Sequence, residues 1–315
     1  MKKSLKPIDM SSVTTYPLIE RINKVSVEDF AVIPDNKTDI SSMLNCLPKI
    51  LKGEEFLQLV DKIVSAYRKE RAIIVMMGGH VIKCGLSPLL ISLAKKGVIT
   101  GFVFNGASSI HDFEIALIGK TSEDVAVYLQ DGKFGMWEET GKLMNSAIRE
   151  AAADKIGMGE ALGNKLLDID APFNEYSLLT TGIQNNIPIT VHVAIGTDII
   201  HQHPTADGAA IGKASFTDFQ LFTQSIIELE DGGVIINFGS AVILPEVFLK
   251  ALTIARNLGH NISNFTAVDF DMNQQYRALE NVVRRPTEMG GTGYTFTGHH
   301  ELMIPLLYHS ILSKL

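Results

Sequence analysis

The sequence predicts an α/β fold, a Rossmann-like parallel sheet with helices on both faces. Short runs of apolar and β-branched residues recur along the chain, amphipathic stretches at helical spacing separate them, and turns rich in glycine or histidine follow several of the runs. Buried strands that alternate with helices are joined by right-handed crossovers, which produce a parallel sheet covered on both faces.

The alternation begins at residue 56. Apolar side chains recur at helical spacing over 56–67, and the run AIIVMM at 72–77 follows as a buried strand. The predicted strands are 72–77, 101–104, 188–195, 234–238 and 265–270. The predicted helices are 56–67, 87–96, 110–118, 137–153, 216–230, 245–258 and 301–312.

Two helix ends have sequence signals. Ser215 is followed three residues later by Asp218, the spacing of a capping box, so we expect a helix to begin near Phe216. Gly259 is expected to end the helix over 245–258. Residues 1–55 mix Ser, Thr, Pro, Asp and Lys without periodicity, which predicts an irregular N-terminal arm or lid before a single Rossmann-like domain over 56–315.

Composition limits the classes of partner. The chain has 315 residues, 46% of them hydrophobic, and a formal net charge of −7, so no broad basic field is available for nucleic acid or an anionic membrane. Cys46 and Cys84 are far apart in sequence, which fits free thiols in a reducing compartment. No apolar run resembles a signal peptide or a membrane span, and we expect a soluble, cytoplasmic protein.

The loops after the strands are the expected ligand site, because a parallel sheet binds ligands outside the carboxyl ends of its strands. Glycines in the turn GGH at 78–80 would let a backbone approach a phosphate, although the spacing is not GxGxxG and a plain tight turn explains it equally well. After the next strand, Asp112 or Glu114 would accept ribose hydroxyls, or Asp112 would simply cap a helix.

Several segments, in the same order, resemble deoxyhypusine synthase, a family that uses NAD to move an aminobutyl group from spermidine to a protein lysine. The matching segments are VFNGASSIHDFEIAL at 103–117, NNIPITVHVAIGTDI at 185–199, GGVIINFGSA at 232–241, NFTAVDFD at 264–271 and ELMIPLL at 301–307. The resemblance implies NAD as the cofactor and a homo-oligomer, a dimer or tetramer. The cofactor-binding residues that it implies are Gly79, Asn105, Gly106, Ala107, Asp112, Asp198, Gly232, Gly233, Thr266 and Ala267.

The chain differs from that family in the segment that carries the family's reactive lysine. The reactive lysine of the family lies in a Ser-Trp-Gly-Lys motif, and residues 281–286 read NVVRRP here. An arginine cannot replace it, because a guanidinium stays protonated and does not form an imine. Lys250 lies within a predicted helix and is a poor substitute. Deoxyhypusine synthesis is therefore not expected, and the substrate is unknown.

Histidines and arginines are the candidate replacements. His201 and His203 follow Asp198, and His299 precedes the last helix; these histidines are candidates for proton transfer, for metal binding or for capping backbone carbonyls. Arg284 and Arg285 would bind an anionic substrate if they face the site, or form a solvated pair if they do not.

Three functions remain open. The first is an NAD-dependent enzyme of the deoxyhypusine synthase-like superfamily that acts on a small molecule other than spermidine, with an anion as one candidate class. The second is a metal-assisted hydrolase or lyase that uses His201, His203 and His299. The third is a non-catalytic NAD-binding or assembly protein.

Overall fold

A computed structural model of the protein describes residues 13–14, 17, 26–33 and 39–315. Most of residues 1–38 of the predicted arm (1–55) therefore lies outside the described residues. The part from residue 39 includes helical segments, because α1 spans Ile40–Asn45 and α2 begins at Leu51, five residues before the predicted start. None of the helices described is both long and apolar enough to cross a bilayer.

Six parallel strands form one sheet in the order β3-β2-β1-β4-β5-β6. Their bounds are Ile73–Met77, Gly101–Asn105, Ile189–His192, Val234–Phe238, Thr266–Asp271 and Thr292–Thr297. The predicted fold class is confirmed. The order reverses between β1 and β4, which is the position where sheets of this kind bind ligands.

Helices cover both faces of the sheet. Helix α2 spans Leu51–Arg68. The helices α3 to α14 follow in chain order and span Gly79–Lys83, Ser87–Lys95, Gly106–Ile118, Val125–Leu129, Glu138–Asp154, Met158–Asp168, Leu178–Asn185, Gly208–Ile227, Ile243–Asn257, Tyr276–Ala278, Arg285–Thr287 and His300–Leu312. A π-helical turn, Leu279–Arg284, joins α12 to α13. Alternate residues of β1 enter two separate apolar clusters, with Ile73 and Val75 on one face and Ile74 and Met76 on the other.

The predicted start of the helix near Phe216 is wrong. Helix α10 begins eight residues earlier, where the Asp207 carboxylate accepts hydrogen bonds from the N–H groups of Ala209 and Ala210 at 2.9 and 3.1 Å. Ser215 and Asp218 therefore lie inside the helix and do not cap it, and their three-residue spacing has another explanation. Both side chains face the sheet.

Those two side chains cover the outer edge of β3. The Asp218 carboxylate accepts a hydrogen bond from the Val191 N–H at 2.7 Å. The Ser215 hydroxyl donates to the Val191 carbonyl at 3.0 Å and accepts from the Val193 N–H at 3.3 Å. Helix α10 thus supplies the partners that a seventh strand would otherwise provide.

Candidate functional site

The crevice at the strand-order reversal is lined by glycine backbone. The Gly78 N–H, directly after β1, donates to the carbonyl of Phe238 at the end of β4, at 2.9 Å. A β-carbon on Gly78 would lie 2.7 Å from the Gly239 carbonyl oxygen, closer than real side chains approach. These glycines therefore allow the ends of the two central strands to touch.

The beginnings of α3 and α5 pack side by side at the same edge of the sheet. A β-carbon on Gly79 would lie 2.8 Å from His111 Cδ2 and 3.2 Å from Ala107. Asn105 caps α5, since its side-chain oxygen accepts a hydrogen bond from the Ser108 N–H at 2.9 Å. Four of the predicted cofactor residues, Gly79, Asn105, Gly106 and Ala107, are thereby brought together.

Asp198 lies directly over the first residue of α5. A β-carbon on Gly106 would stand 1.9 Å from Asp198 Oδ2, so only glycine leaves room for the carboxylate. The Asp198 side chain is 7% exposed, and Oδ2 has no hydrogen-bond partner among the described residues. A buried carboxylate oxygen without a donor is costly in a folded protein, which makes this a candidate for a functional group.

His201 is the neighbour of that carboxylate. Its Nε2 lies 3.9 Å from Asp198 Oδ2, and its side chain is 4% exposed. The Gly196 N–H donates to His201 Nδ1 at 3.1 Å, so the neutral ring carries its proton on Nε2. Nε2 has no partner among the described residues.

Burial changes the acidity of both groups. It raises the pKa of Asp198 to about 6 and lowers the pKa of His201, because the charged form of each is poorly solvated. The buried surroundings therefore favour the neutral form of both groups. Both residues were named as candidates from the sequence, but their pairing could not be read from the spacing.

A second polar network joins Glu114, which the sequence singled out, to His111, which the sequence reasoning missed. His111 Nδ1 lies 2.7 Å from the Thr121 hydroxyl, which donates to Glu114 at 2.6 Å, and Thr140 donates to the other Glu114 oxygen at 3.2 Å. Burial and the nearby Lys83 ammonium lower the pKa of His111 to about 4. Glu114 is therefore engaged by hydroxyl groups, and His111 is a neutral ring next to Gly79.

The three histidines predicted as a group do not meet. His203 Nδ1 lies 2.8 Å from the Thr205 hydroxyl, and its ring packs on Gly141. The His299 side chain is 61% exposed and lies 3.8 Å from Glu301. Among the described residues, the side chains that come together with metal-binding atoms are instead His80, Cys84 and Glu301.

Asp112 lies in the interior, away from the crevice. Its carboxylate accepts hydrogen bonds from the Ser177 hydroxyl at 2.6 Å and from the N–H groups of Leu178 and Leu179 at 2.9 and 3.0 Å. It therefore fixes the start of α9, which is the capping alternative to a ribose contact. Burial raises its pKa to about 6.

Four more of the predicted cofactor residues lie at the opposite edge of the sheet. Gly232 and Gly233 immediately precede β4, and Thr266 and Ala267 begin β5. These residues are at the amino ends of their strands, so the structure does not bring them to the crevice. The Gly232 N–H donates to the Asn264 carbonyl at 2.7 Å, which links the segments that lead into the two strands.

The paired arginines lie on an exposed helical surface. Arg284 donates to Glu280 at 2.8 Å, and Arg285 donates to the Asn281 side-chain oxygen at 2.7 Å. Their side chains are 62% and 48% exposed. Lys250 is paired with Glu246 on the adjacent helix α11. The segment that replaces the reactive-lysine motif therefore forms surface ion pairs.

No family model and no curated protein matches this sequence. Solved structures do match its fold. A protein from Entamoeba histolytica, provisionally identified as a deoxyhypusine synthase, matches with a TM-score of 0.51 and 14% identity over 89% of this chain and 95% of its own. The predicted resemblance to that family is therefore confirmed at the level of fold.

Two larger proteins contain the same fold. Apo ArgZ, an arginine dihydrolase from the ornithine–ammonia cycle in cyanobacteria, matches with a TM-score of 0.51 and 17% identity over 84% of this chain. Unliganded AgrE matches with a TM-score of 0.52 and 15% identity over 83% of this chain. The chain covers only 34% of ArgZ and 33% of AgrE, about a third of each. AgrE has also been solved in a ternary complex with ornithine and NAD+.

Proposed function

We propose that this protein is an NAD-dependent enzyme that acts on a small molecule at the carboxyl edge of the sheet, with Asp198 and His201 as its proton-transfer pair. The observation that carries the proposal is that pair itself. Two buried side chains lie 3.9 Å apart, and each has a polar atom without a partner among the described residues. A bound substrate would supply the missing partners.

The crevice suits a dinucleotide. Gly79 and Gly106 begin α3 and α5 at the edge where Rossmann-type sheets bind nucleotides, and the lack of a side chain lets His111 and Asp198 approach the backbone there. The N-terminus of α5, a helix of 13 residues, favours negative charge, and the Asp198 carboxylate lies against it. The likeness in fold to AgrE, a protein that forms a complex with NAD+, supports the same cofactor here.

The chemistry divides between the cofactor and the chain. Bound NAD+ would accept a hydride from a carbon that carries a hydroxyl or amino group. The Asp198 carboxylate would take the proton from that heteroatom, either directly or through His201, and would return it in the reverse step. A raised carboxyl pKa suits this role, because the group can both accept and release a proton near neutral pH.

Aminobutyl transfer is not part of the proposal. The family's imine-forming lysine has no counterpart at residues 281–286, where only the two arginines are exposed and Arg284 and Arg285 contact Glu280 and Asn281. A substrate anion would therefore have to be bound by other groups. Lys83 is exposed and contributes to the lowered pKa of His111, so it is a cation that we would test first.

The experiment is titration calorimetry of the full chain with NAD+ and NADH, together with mass spectrometry of any nucleotide released on denaturation. We expect binding by wild type and by Asp198→Asn, and NADH formation during a screen of hydroxy and amino acids by wild type only. Failure of wild type to bind either nucleotide at about millimolar concentration, weaker than any specific cofactor site, would refute the proposal. Equal turnover by Asp198→Asn would refute the role of the pair.

A further inference from the structure

His80, Cys84 and Glu301 converge from two helices at the carboxyl edge of the sheet. His80 and Cys84 are four residues apart at helix α3, so their side chains share one face. Glu301 is the second residue of α14, which follows β6. One ligand atom from each residue lies within 4.8 Å of those of the other two, and Cys84 Sγ is 3.7 Å from Glu301 Oε2.

The three groups offer one nitrogen, one sulfur and one oxygen ligand. Calcium and magnesium prefer oxygen ligands alone, whereas zinc accepts imidazole, thiolate and carboxylate together. Three protein ligands and one open position are typical of catalytic zinc sites, and four protein ligands are typical of structural ones. The three ligands His80, Cys84 and Glu301 therefore resemble a catalytic zinc site.

His300 provides an independent observation next to this set. It is 2% exposed, and its Nδ1 is buried without a hydrogen-bond partner among the described residues. Its ring centroid lies 6.1 Å from that of His80. Gly239 makes room for the other side of the ring, since a β-carbon there would lie 2.5 Å from His300 Nε2. A buried polar atom beside three metal-binding side chains lacks the partner that a metal-bound water would supply.

We propose that His80, Cys84 and Glu301 bind one zinc ion whose fourth position is open to water or substrate, with His300 as the hydrogen-bond partner of the group in that position. The ion would act as a Lewis acid on a substrate carbonyl or hydroxyl oxygen. The site differs from the metal site predicted from sequence, because it uses none of His201, His203 and His299 as ligands.

The test uses the purified full chain, stripped of metal with a chelator and then titrated with Co²⁺ and with Zn²⁺ in competition with a chromophoric chelator. We expect one equivalent of Co²⁺, with visible bands of a four-coordinate ion and a near-ultraviolet band from thiolate-to-cobalt charge transfer. Cys84→Ser should remove the charge-transfer band. Glu301→Gln should weaken zinc binding by at least about 10-fold, the lower limit even for residues that only support a ligand.

Cys46→Ser is the matched control, because Cys46 is the other free cysteine and is not part of the set. Its spectrum and affinity should equal those of wild type. Circular dichroism of each variant checks that it is folded. Failure of wild type to bind a stoichiometric ion, or a charge-transfer band that survives Cys84→Ser and disappears in Cys46→Ser, would overturn the proposal. Because the readout is metal binding, the result does not depend on whether NAD binds.

Discussion

The carboxylate of Asp198 occupies the space that a side chain on Gly106 would need. The ideal β-carbon position of residue 106 is 1.9 Å from Asp198 Oδ2. Gly106 is the first residue of α5 and has no left-handed backbone conformation, so glycine is required there by the contact and not by the backbone.

Gly106→Ala should therefore displace Asp198. We expect the free energy of unfolding to fall by about 1–3 kcal/mol, as for other forced contacts in packed sites, and NAD+ binding to weaken. Gly212→Ala is the control, because Gly212 is an exposed glycine within α10 with open space around it, and alanine there should stabilise by up to about 1 kcal/mol. Denaturant unfolding and calorimetry measure both effects; equal behaviour of the two variants would contradict the contact.

Asp198 should titrate well above an ordinary aspartate. Burial raises its pKa to about 6, whereas unperturbed aspartates titrate near about 3.9. The measurement is carbon NMR of labelled aspartate carboxyl groups over a pH series, with Asp198→Asn to assign the resonance. If the resonance that disappears in the variant has its midpoint below about 4.5, the group is not perturbed as we expect.

Asp218 should make the protein less stable as the pH rises. It is fully buried, and burial raises its pKa to about 8 despite hydrogen bonds from Val191 and Gly159. When the pKa of a carboxyl group is higher in the folded protein than in the unfolded chain, the group's contribution to the free energy of unfolding is complete below the pKa of the unfolded chain. That contribution is lost as the pH rises through the pKa of the folded protein. The loss from Asp218 should extend from about pH 4 to about pH 8, at up to about 1.4 kcal/mol per pH unit.

Asp218→Asn tests this directly. One oxygen, Oδ2, accepts from both Val191 and Gly159, and Oδ1 has no partner among the residues described, so an asparagine reproduces the protonated form. The melting temperature of the variant should fall less than that of wild type between about pH 5 and about pH 9. An identical fall in both proteins would show that Asp218 is not the cause.

Arg284→Ala and Arg285→Ala should have small effects. Both side chains are largely exposed and form ion pairs with Glu280, and such surface pairs contribute about 0–1 kcal/mol. We expect unchanged NAD+ affinity and no aminobutyl transfer from spermidine to an acceptor protein by wild type or variants. A loss of ligand binding in either variant, or formation of deoxyhypusine, would show that the segment with Arg284 and Arg285 belongs to the functional site.

Much of the fold could be predicted because buried strands leave a continuous apolar signal. The five strands predicted from such runs are all present, whereas β6 was missed because its residues, TGYTFT, alternate between buried and partly exposed positions. The start of α10 was misplaced because Ser215 and Asp218 bind the neighbouring strand and not their own helix. Spacing alone does not distinguish these two uses of a polar side chain.

The candidate site was predictable only in part. Asp198 and His201 were named individually, but their approach to Gly106 depends on the path of a loop, which has no periodic signal. Gly232 and Gly233 were assigned to the cofactor through the resemblance alone, and the structure places them at the amino end of β4. Cys84 was not predicted as a metal ligand because one of its two partners, Glu301, lies 217 residues further along the chain.

The contacts that Asp218 and Ser215 make with β3 also bear on how this protein would behave at high concentration. An uncovered strand edge recruits strands from other molecules and begins edge-to-edge aggregation. Here the outward N–H and carbonyl groups of Val191 are already bonded within the same chain. Substitutions that remove both side chains from α10 should therefore cost solubility as well as stability, through intermolecular pairing along β3.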